Sequence, residues 1–247
     1  LQAGESLYQL DVDEICRIQP DLIITQAQCD VCAVRYQDVV SLLESNPSLT
    51  TVVLPLNPST LEEILADIVH VGTATGCTEE AEQLVSRLEE RMLVIQQQVM
   101  GKPKPRVACI EWTEPMMLAG NWVPDLISMA GGESLLADAG TESVYWSWQE
   151  VVELDPEVIV IAPCGFDLER SRHEVRGLPG WEHWGELTAV RQKRVFVVDG
   201  NALLNRSGPR VVDTIEILAH LFHPHDVAAP GGNYGRGKGW EMLGEST

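Results

Sequence analysis

Residues 150–162 read EVVELDPEVIVIA, and residues 14–26 read EICRIQPDLIITQ, with the same layout 136 positions earlier in the chain. Both stretches begin with glutamate, carry a proline at the seventh position (Pro20 and Pro156) and place an acidic residue directly after it. Because proline disfavours the helical conformation in the residue before it, each copy predicts a short helix that ends ahead of the proline. The apolar run that follows predicts a buried strand. A repeat of this kind predicts two similar α/β lobes, and the cleft between two lobes is a common place for a ligand.

The composition excludes several classes of protein. With 247 residues, of which 45% are hydrophobic, the chain is long enough to form two modest cores. The formal net charge of −20 disfavours nucleic acid or an anionic membrane surface as the main partner, since both attract basic surfaces. No apolar run approaches the roughly 20 residues of a membrane-spanning helix, so we expect a chain that does not span a membrane. Six cysteines are too few for a disulfide scaffold at this length.

The order of predicted elements indicates an α/β fold with parallel sheets, because strands and helices alternate along both halves of the chain. We expect four segments: an N-terminal α/β lobe (1–76), a linking helix (77–101), a C-terminal α/β lobe (102–225) and a mobile, glycine-rich tail (226–247). In the linking helix, apolar residues recur at spacings of three and four, and a length of about 35 Å would let it join the lobes. The alternative is an ordinary amphipathic helix within one domain.

The 136-residue spacing of the repeat also predicts which elements of the first lobe should precede the first copy. A strand predicted at residues 106–111 and the helix after it precede the second copy, and their counterparts 136 positions earlier would fall before residue 1. We therefore expect an N-terminal lobe that is truncated and lacks its opening strand and helix.

Candidate ligand contacts follow from the rule that ligands of open parallel sheets bind beyond the carboxyl ends of the strands. Trp112 and Trp122 bound one of the loops predicted there, where an indole can stack on a large flat ligand. The alternative is that each ring packs beneath a loop. Cys164 follows a strand of the second lobe as Cys29 follows one of the first, so both are expected to border the cleft.

Two further groups of residues have alternative interpretations. Cys29 and Cys32 form a C-x-x-C that fits a redox centre, a zinc site lacking its other ligands, or a loop with incidental thiols. Three histidines end the last predicted helix, where the helix dipole favours cations, and this explanation is simpler than metal binding. The sequence has no G-x-x-x-x-G-K-[ST], G-x-S-x-G or H-E-x-x-H motif. We therefore expect a binding protein without catalytic residues.

Six stretches carry a family resemblance: PDLIITQ (20–26), QCDVCAV (28–34), EWTEPMMLAGNWVPDLISMAGGE (111–133), APCGF (162–166), VVDGN (197–201) and NRSGPR (205–210). On these residues the chain resembles the cobalamin-binding proteins of the helical-backbone metal-receptor family, which are the substrate-binding proteins of vitamin B12 and iron-siderophore ABC transporters. The resemblance covers about residues 7–224. It implies two Rossmann-like lobes joined by one long helix, as in class III periplasmic binding proteins, with the ligand in the cleft.

The resemblance also implies which residues contact the ligand. By motif they are Gln28, Cys29, Trp112, Glu114, Asn121, Trp122, Cys164, Gly165, Phe166 and Asn201. Aromatic faces and amides suit a corrin ring with its side arms, and the predicted loops contain no histidine. We therefore expect contacts to the ring and side arms, and no bond from the protein to the metal.

The expected function is capture of cobalamin, or a related corrinoid, by a periplasmic monomer that passes it to an ABC permease. No intrinsic cofactor is expected, because cobalamin would be the ligand. Three alternatives remain. An iron-siderophore or haem carrier would bind those ligands instead, a cytoplasmic protein would handle corrinoids without a permease, and a thiol redox enzyme would lose its activity when Cys29 is replaced by serine.

Overall fold

The computed structural model describes residues 9–27, 34–135 and 137–244. The chain forms two compact units, which are Leu1–Pro58 with Asp67–Glu82 and Ser59–Ala66 with Gln83–Thr247. Both contain parallel strands and helices, so the predicted α/β class is confirmed.

The elements of the described residues are numbered in chain order. The helices are α1 (Val12–Ile18), α2 (Tyr36–Ser45), α3 (Leu61–Ala74), α4 (Thr78–Val99), α5 (Val123–Met129), α6 (Trp148–Leu154), α7 (Leu168–Glu174), α8 (Thr188–Arg191) and α9 (Val211–Phe222). The strands are β1 (Leu22–Gln26), β2 (Val52–Leu56), β3 (Arg106–Thr113), β4 (Met116–Leu118), β5 (Glu133–Ser134), β6 (Val144–Tyr145), β7 (Val158–Ile161), β8 (Val195–Val198) and β9 (Trp240–Met242).

The first unit is built on a two-stranded parallel sheet. β1 pairs with β2 in register from Leu22 opposite Val52 to Gln26 opposite Leu56. Val39 and Leu42 of α2 are buried in this unit. The unit therefore has the strand, helix, strand order that the sequence predicts.

The second unit contains a larger mixed sheet in the order β6-β4-β3-β7-β8-β9, with β5 beside the start of β3. β3, β7 and β8 run parallel, while β4, β6 and β9 are antiparallel to their neighbours. All four residues of β7 are 0% exposed, which fits a central parallel strand covered on both faces. On one face its side chains join a cluster that includes Ile110, Leu118 and Leu178.

The two copies of the repeat fold alike. α1 and α6 each begin at a capping residue, Asp11 or Ser147, whose side chain accepts the backbone N–H of the repeat glutamate. Each ends at a residue in the left-handed conformation, Gln19 (φ 50°) or Asp155 (φ 43°), directly before the proline. β1 and β7 then begin at corresponding positions. The helix and strand predicted from each copy are confirmed.

The structure bears on the prediction of a linking helix. α4 lies where the linking helix is predicted, but residues of both α3 and α4 are divided between the two units. Its role as a link between lobes therefore stays a prediction.

The prediction of a mobile tail after residue 225 is wrong for the described residues. β9 pairs antiparallel with β8, and the guanidinium of Arg172 donates two hydrogen bonds to the carboxylate of Glu241. Val227 and Trp240 are buried, with 4% of each exposed. The many glycines suggest mobility, but the buried side chains between them attach this segment to the sheet.

Trp240 provides a test of that attachment. Trp240→Ala should lower the free energy of unfolding by about 3–5 kcal/mol, because it removes a buried indole that packs against Phe196 and His220. Trp240→Phe is the matched control and should cost much less, since the indole N–H has no hydrogen-bond partner among the described residues. Urea unfolding followed by circular dichroism measures both. Unfolding of the alanine variant at the wild-type urea concentration would contradict the assignment.

Candidate ligand-binding site

The candidate site lies at the carboxyl edge of the parallel strands of the second unit. Because β3, β7 and β8 are parallel, the loops after β7 and β8 emerge beside the end of β3. Backbone hydrogen bonds join these segments. The N–H of Cys164 donates to the carbonyl of Glu111 (3.1 Å), and the N–H of Asn201 donates to the carbonyl of Phe166 (2.9 Å).

An aromatic pair stands at this edge. The rings of Trp112 and Phe166 meet edge to face, with centroids 5.2 Å apart and planes at 67°. The indole N–H of Trp112 donates to the backbone carbonyl of Glu114 (3.1 Å). This hydrogen bond orients the ring through a residue only two positions away in the chain. Phe166 is 8% exposed, and the guanidinium of Arg170 lies 3.6 Å from its ring centroid. The pair is therefore a fixed apolar feature beside a cation.

Close packing between the two loops fixes the position of this edge. A Cβ atom at Gly200 would lie 2.1 Å from the carbonyl oxygen of Pro163, so a side chain there would force the backbones apart. The side-chain amide of Asn205 donates to the carbonyl of Ala162 (3.0 Å). Glycine and asparagine thus hold the loop after β8 against the loop after β7.

Asn201 is held by a neighbouring cation. The guanidinium of Arg206 donates to the side-chain oxygen of Asn201 (2.7 Å) and to its backbone carbonyl (2.5 Å). The bond to the side-chain oxygen fixes the orientation of the Asn201 side chain, and therefore that of its amide nitrogen. Arg206 and Arg170 thus place two guanidinium groups beside Asn201 and Phe166.

A half-buried residue with a carboxyl group, Glu111, directly precedes Trp112 in β3. The hydroxyl of Ser143 donates to Glu111 (2.8 Å) and accepts the backbone N–H of Gly120 (3.0 Å). Burial raises the pKa of Glu111 above its ordinary range, and the hydrogen bond from Ser143 opposes this only in part. The carboxyl therefore takes up a proton more readily than an exposed glutamate.

The thiols of the second unit near this edge are poor nucleophiles. Burial, and then the charge of Glu111, raise the pKa of Cys109 and of Cys164, and Arg206 lowers that of Cys164 to a smaller extent. A thiol with a raised pKa carries little thiolate at neutral pH. These two cysteines are therefore mainly in the thiol form at neutral pH.

The described residues contain no cluster of three or more His, Cys, Asp or Glu side chains that could hold a metal ion. Of the three histidines at the end of α9, His220 contacts the carbonyl of Val227 (2.8 Å) and His223 that of Gly131 (3.1 Å). These two histidines thus contact backbone carbonyls around the end of α9. Over the same part of the chain, every helix is too short or too polar to cross a bilayer.

Comparison with known proteins assigns the fold to a family. Residues 5–202 match the family model described as periplasmic binding protein. The chain belongs to the periplasmic binding protein family. The family resemblance seen in the sequence is confirmed.

Individual relatives of this periplasmic binding protein are distant. It is 23% identical over 221 residues to the uncharacterized ABC transporter substrate-binding lipoprotein YvrC of Bacillus subtilis, covering 87% of this chain and 66% of that protein. It is 24% identical over 229 residues to a vitamin B12-binding protein of Vibrio parahaemolyticus, covering 89% and 77%. The solved periplasmic heme-binding protein RhuT of Roseiflexus sp. RS-1 superposes with a TM-score of 0.69 at 24% identity, covering 87% and 80%. This last likeness shows a shared fold.

Six of the residues predicted to contact the ligand of this binding protein lie on the edge described above. They are Trp112, Glu114, Cys164, Gly165, Phe166 and Asn201. Gly165 is exposed in a left-handed conformation (φ 77°) that suits glycine. Gln28, Cys29 and Cys32 lie outside the described residues. The ligand-contacting role of all these residues stays a prediction.

Asn121 and Trp122 are placed differently. Trp122 is only 7% exposed, and its indole N–H donates to the carbonyl of Leu204 (3.0 Å), so its ring packs in the interior and its contact with a ligand stays a prediction. Asn121 has a φ of 51° and exchanges backbone hydrogen bonds with Gly140 and Thr141. Its backbone shapes a turn.

Three residues of the site were not predicted from the sequence. Arg170 lies four positions after Phe166, a spacing that puts two side chains near each other at the start of a helix. Arg206 stands inside a quoted motif, but its bond to Asn201 depends on the loop conformation. Ser143 is 32 positions from Glu111, and nothing local in the sequence indicates their contact.

The raised pKa of Glu111 makes a testable contribution to stability. A carboxyl whose folded-state pKa is raised destabilises the fold as the pH climbs from its ordinary value of 4.5 through the folded-state value, because the unfolded chain releases the proton first. Glu111→Gln should therefore unfold at higher urea concentration than the wild type at neutral pH, and this advantage should shrink as the pH is lowered through the raised folded-state pKa towards 4.5.

Glu114→Gln, at an exposed glutamate, is the control for that experiment and should unfold at the wild-type urea concentration at neutral pH. An unfolding curve for Glu111→Gln that coincides with the wild type at neutral pH would show that the buried carboxyl carries no such cost.

Proposed function

We propose that this periplasmic binding protein is the substrate-binding component of an ABC-type importer and that it captures cobalamin or a related corrinoid. The proposal is supported by the vitamin B12-binding protein and the ABC transporter substrate-binding lipoprotein among its relatives. The chain spans about two thirds of the latter (66%), so the transport role is part of the proposal. It acts as a monomer outside the cytoplasmic membrane and delivers its ligand to a permease.

The aromatic pair Trp112–Phe166 is the observation that carries the choice of ligand. The half-buried ring of Trp112 offers apolar surface at the edge of the sheet where ligands of this type of fold bind, and Phe166, which is 8% exposed, supports that ring by an edge-to-face contact. The geometry of the pair is set before any ligand arrives, because Trp112 is bonded to Glu114 and Phe166 is packed against Arg170. A rigid aromatic surface binds a large flat ring at little entropic cost.

The polar groups around this pair suit the periphery of a corrin. Asn201 and the backbone around Gly165 present amide groups at the rim, and amide side arms of a corrinoid can exchange hydrogen bonds with them. The cobalt belongs to the cargo, and the segments that carry the pair and Asn201 (111–115, 162–167 and 199–208) contain no histidine. We therefore assign the protein contacts to the ring and the side arms.

Titration with cyanocobalamin tests the proposal. Isothermal titration should give saturable binding to the protein, and Trp112→Ala should weaken the affinity about tenfold, or about 1.4 kcal/mol, by removing an aromatic contact. Trp112→Phe is the conservative control and should keep most of the affinity. Absence of both heat and an absorption change with the wild-type protein would overturn the assignment.

A haem carrier is the second candidate, and Arg170 is the observation that favours it. Its guanidinium stacks on Phe166 with the side chain exposed, so it can meet a carboxylate at the rim of the aromatic pair. Haem carries carboxylates at the rim of its ring, whereas the side arms around the corrin ring of cobalamin are amides and its phosphate lies away from that rim in the nucleotide loop. A protein with the same fold, RhuT, is a heme-binding protein.

Arg170→Gln separates the two candidates. If the ligand is haem, this change should weaken its binding about tenfold, through loss of a charge-assisted hydrogen bond. If the ligand is cobalamin, the change should have little effect. Arg176→Gln, an exposed arginine on the following turn, is the matched control. Equal affinity of wild type and Arg170→Gln for haem would exclude recognition of a haem carboxylate by Arg170.

A further inference from the structure

The pairing of β3 with β4 contains a bulge that redirects Trp112. Ile110 lies opposite Leu118, but Trp112 lies opposite Met117. The register therefore moves two residues along β3 for one residue along β4, which is a β-bulge. Without that shift, Ile110 and Trp112 would share a face of the sheet, because side chains of a strand alternate. With it, the two side chains lie on opposite faces. Glu111 is the extra residue.

A row of three side chains results. Trp112 is directly opposite Met117, and Met117 is directly opposite Tyr145 on β6. Directly opposed residues of an antiparallel pair project from the same face. Trp112, Met117 and Tyr145 therefore lie side by side across three strands, over a span of about 10 Å at the usual strand spacing. We call these three residues the row.

Burial on the two faces agrees with this register. The neighbours of the row along each strand point the other way, since Met116 and Leu118 belong to the buried cluster and Trp146 packs against it. Met117 is half-buried, and Tyr145 is 68% exposed. The row thus lies on the face opposite the cluster, and its outer end is open.

The row is continuous with the candidate site. Its first member, Trp112, contacts Phe166 at 5.2 Å between centroids. Four apolar or aromatic side chains therefore lie next to one another, from the loop after β7 to the edge strand β6. They are Phe166, Trp112, Met117 and Tyr145. The thioether of methionine packs well against aromatic surface, so Met117 can continue the apolar surface between Trp112 and Tyr145.

We propose that Met117 and Tyr145 are ligand-contacting residues, which extend the Trp112–Phe166 pair into one platform for a face of the planar ligand. This inference rests on the proposed function, since a planar macrocycle is the occupant. A macrocycle is wide enough to cover more than the aromatic pair alone. The bulge at Glu111 is the feature that brings Trp112 onto the same face as the other two.

Affinity measurements on the whole chain test the platform. Tyr145→Ala and Met117→Ala should each weaken binding of the ligand taken up by the wild type, cyanocobalamin or haem, about threefold to tenfold by loss of ring contact. Tyr145→Phe should bind like the wild type, because the face of the ring and not its hydroxyl makes the contact. Met100→Ala, at a methionine that is 75% exposed beyond the end of α4, is the matched control and should bind like the wild type.

The outcomes separate the platform from the proposed function. If the wild type binds neither cyanocobalamin nor haem, the proposed function and the platform are both overturned. If the wild type binds one of them and the alanine variants bind it equally well while keeping their circular dichroism spectra, only the platform is overturned. A loss in Tyr145→Phe as large as that in Tyr145→Ala would assign the effect to the hydroxyl and would also overturn the platform.

Discussion

The enclosure of β7 is the constraint on which the second unit depends. Its four side chains, Val158–Ile161, are 0% exposed, and its two edges pair with β3 and β8. A parallel strand in this position needs apolar cover on both faces, and its backbone polar groups must be paired within the sheet. The loops that connect β7 to other elements can therefore begin only at the two ends of this strand. The carboxyl end receives the loops with Phe166 and Asn201, beside the end of β3 with Trp112, so the candidate site is a consequence of how the central strand is buried.

The same enclosure makes the site rigid. Gly200 allows the loop after β8 to lie against the carbonyl of Pro163, and Asn205 bonds the carbonyl of Ala162, so the two loops are joined immediately beyond the sheet. The aromatic pair is then held by short-range contacts to Glu114 and Arg170. A site on such supports binds by matching a shape that already exists. Burial raises the pKa of Cys109 and of Cys164, so both carry little thiolate at neutral pH.

Features set by neighbours in the sequence could be predicted, and features set by distant neighbours could not. The repeat predicted α1 with β1 and α6 with β7, because the capping residues Asp11 and Ser147 and the prolines act within a few positions. The attachment of the final segment depends on Glu241 meeting Arg172, 69 positions away, and glycine content alone suggested mobility there. The short strands β4 and β6 carry too few residues for a periodic pattern. The bulge at Glu111 changes a register, which no composition reveals.

Trp112 and Trp122 show most clearly what the sequence could not predict, because both bound the same predicted loop and both were expected to contact a ligand. Each bounds the same segment, and each indole N–H finds a carbonyl, but the partner decides the role. Trp112 bonds Glu114, two positions away, and this local bond leaves its ring at the edge of the sheet. Trp122 bonds Leu204, 82 positions away, and this bond draws its ring into the interior. A tryptophan near a ligand site is thus available for recognition when its polar atom is satisfied locally and its strand is turned outward. In this chain the one-residue bulge beside Trp112 meets the second condition.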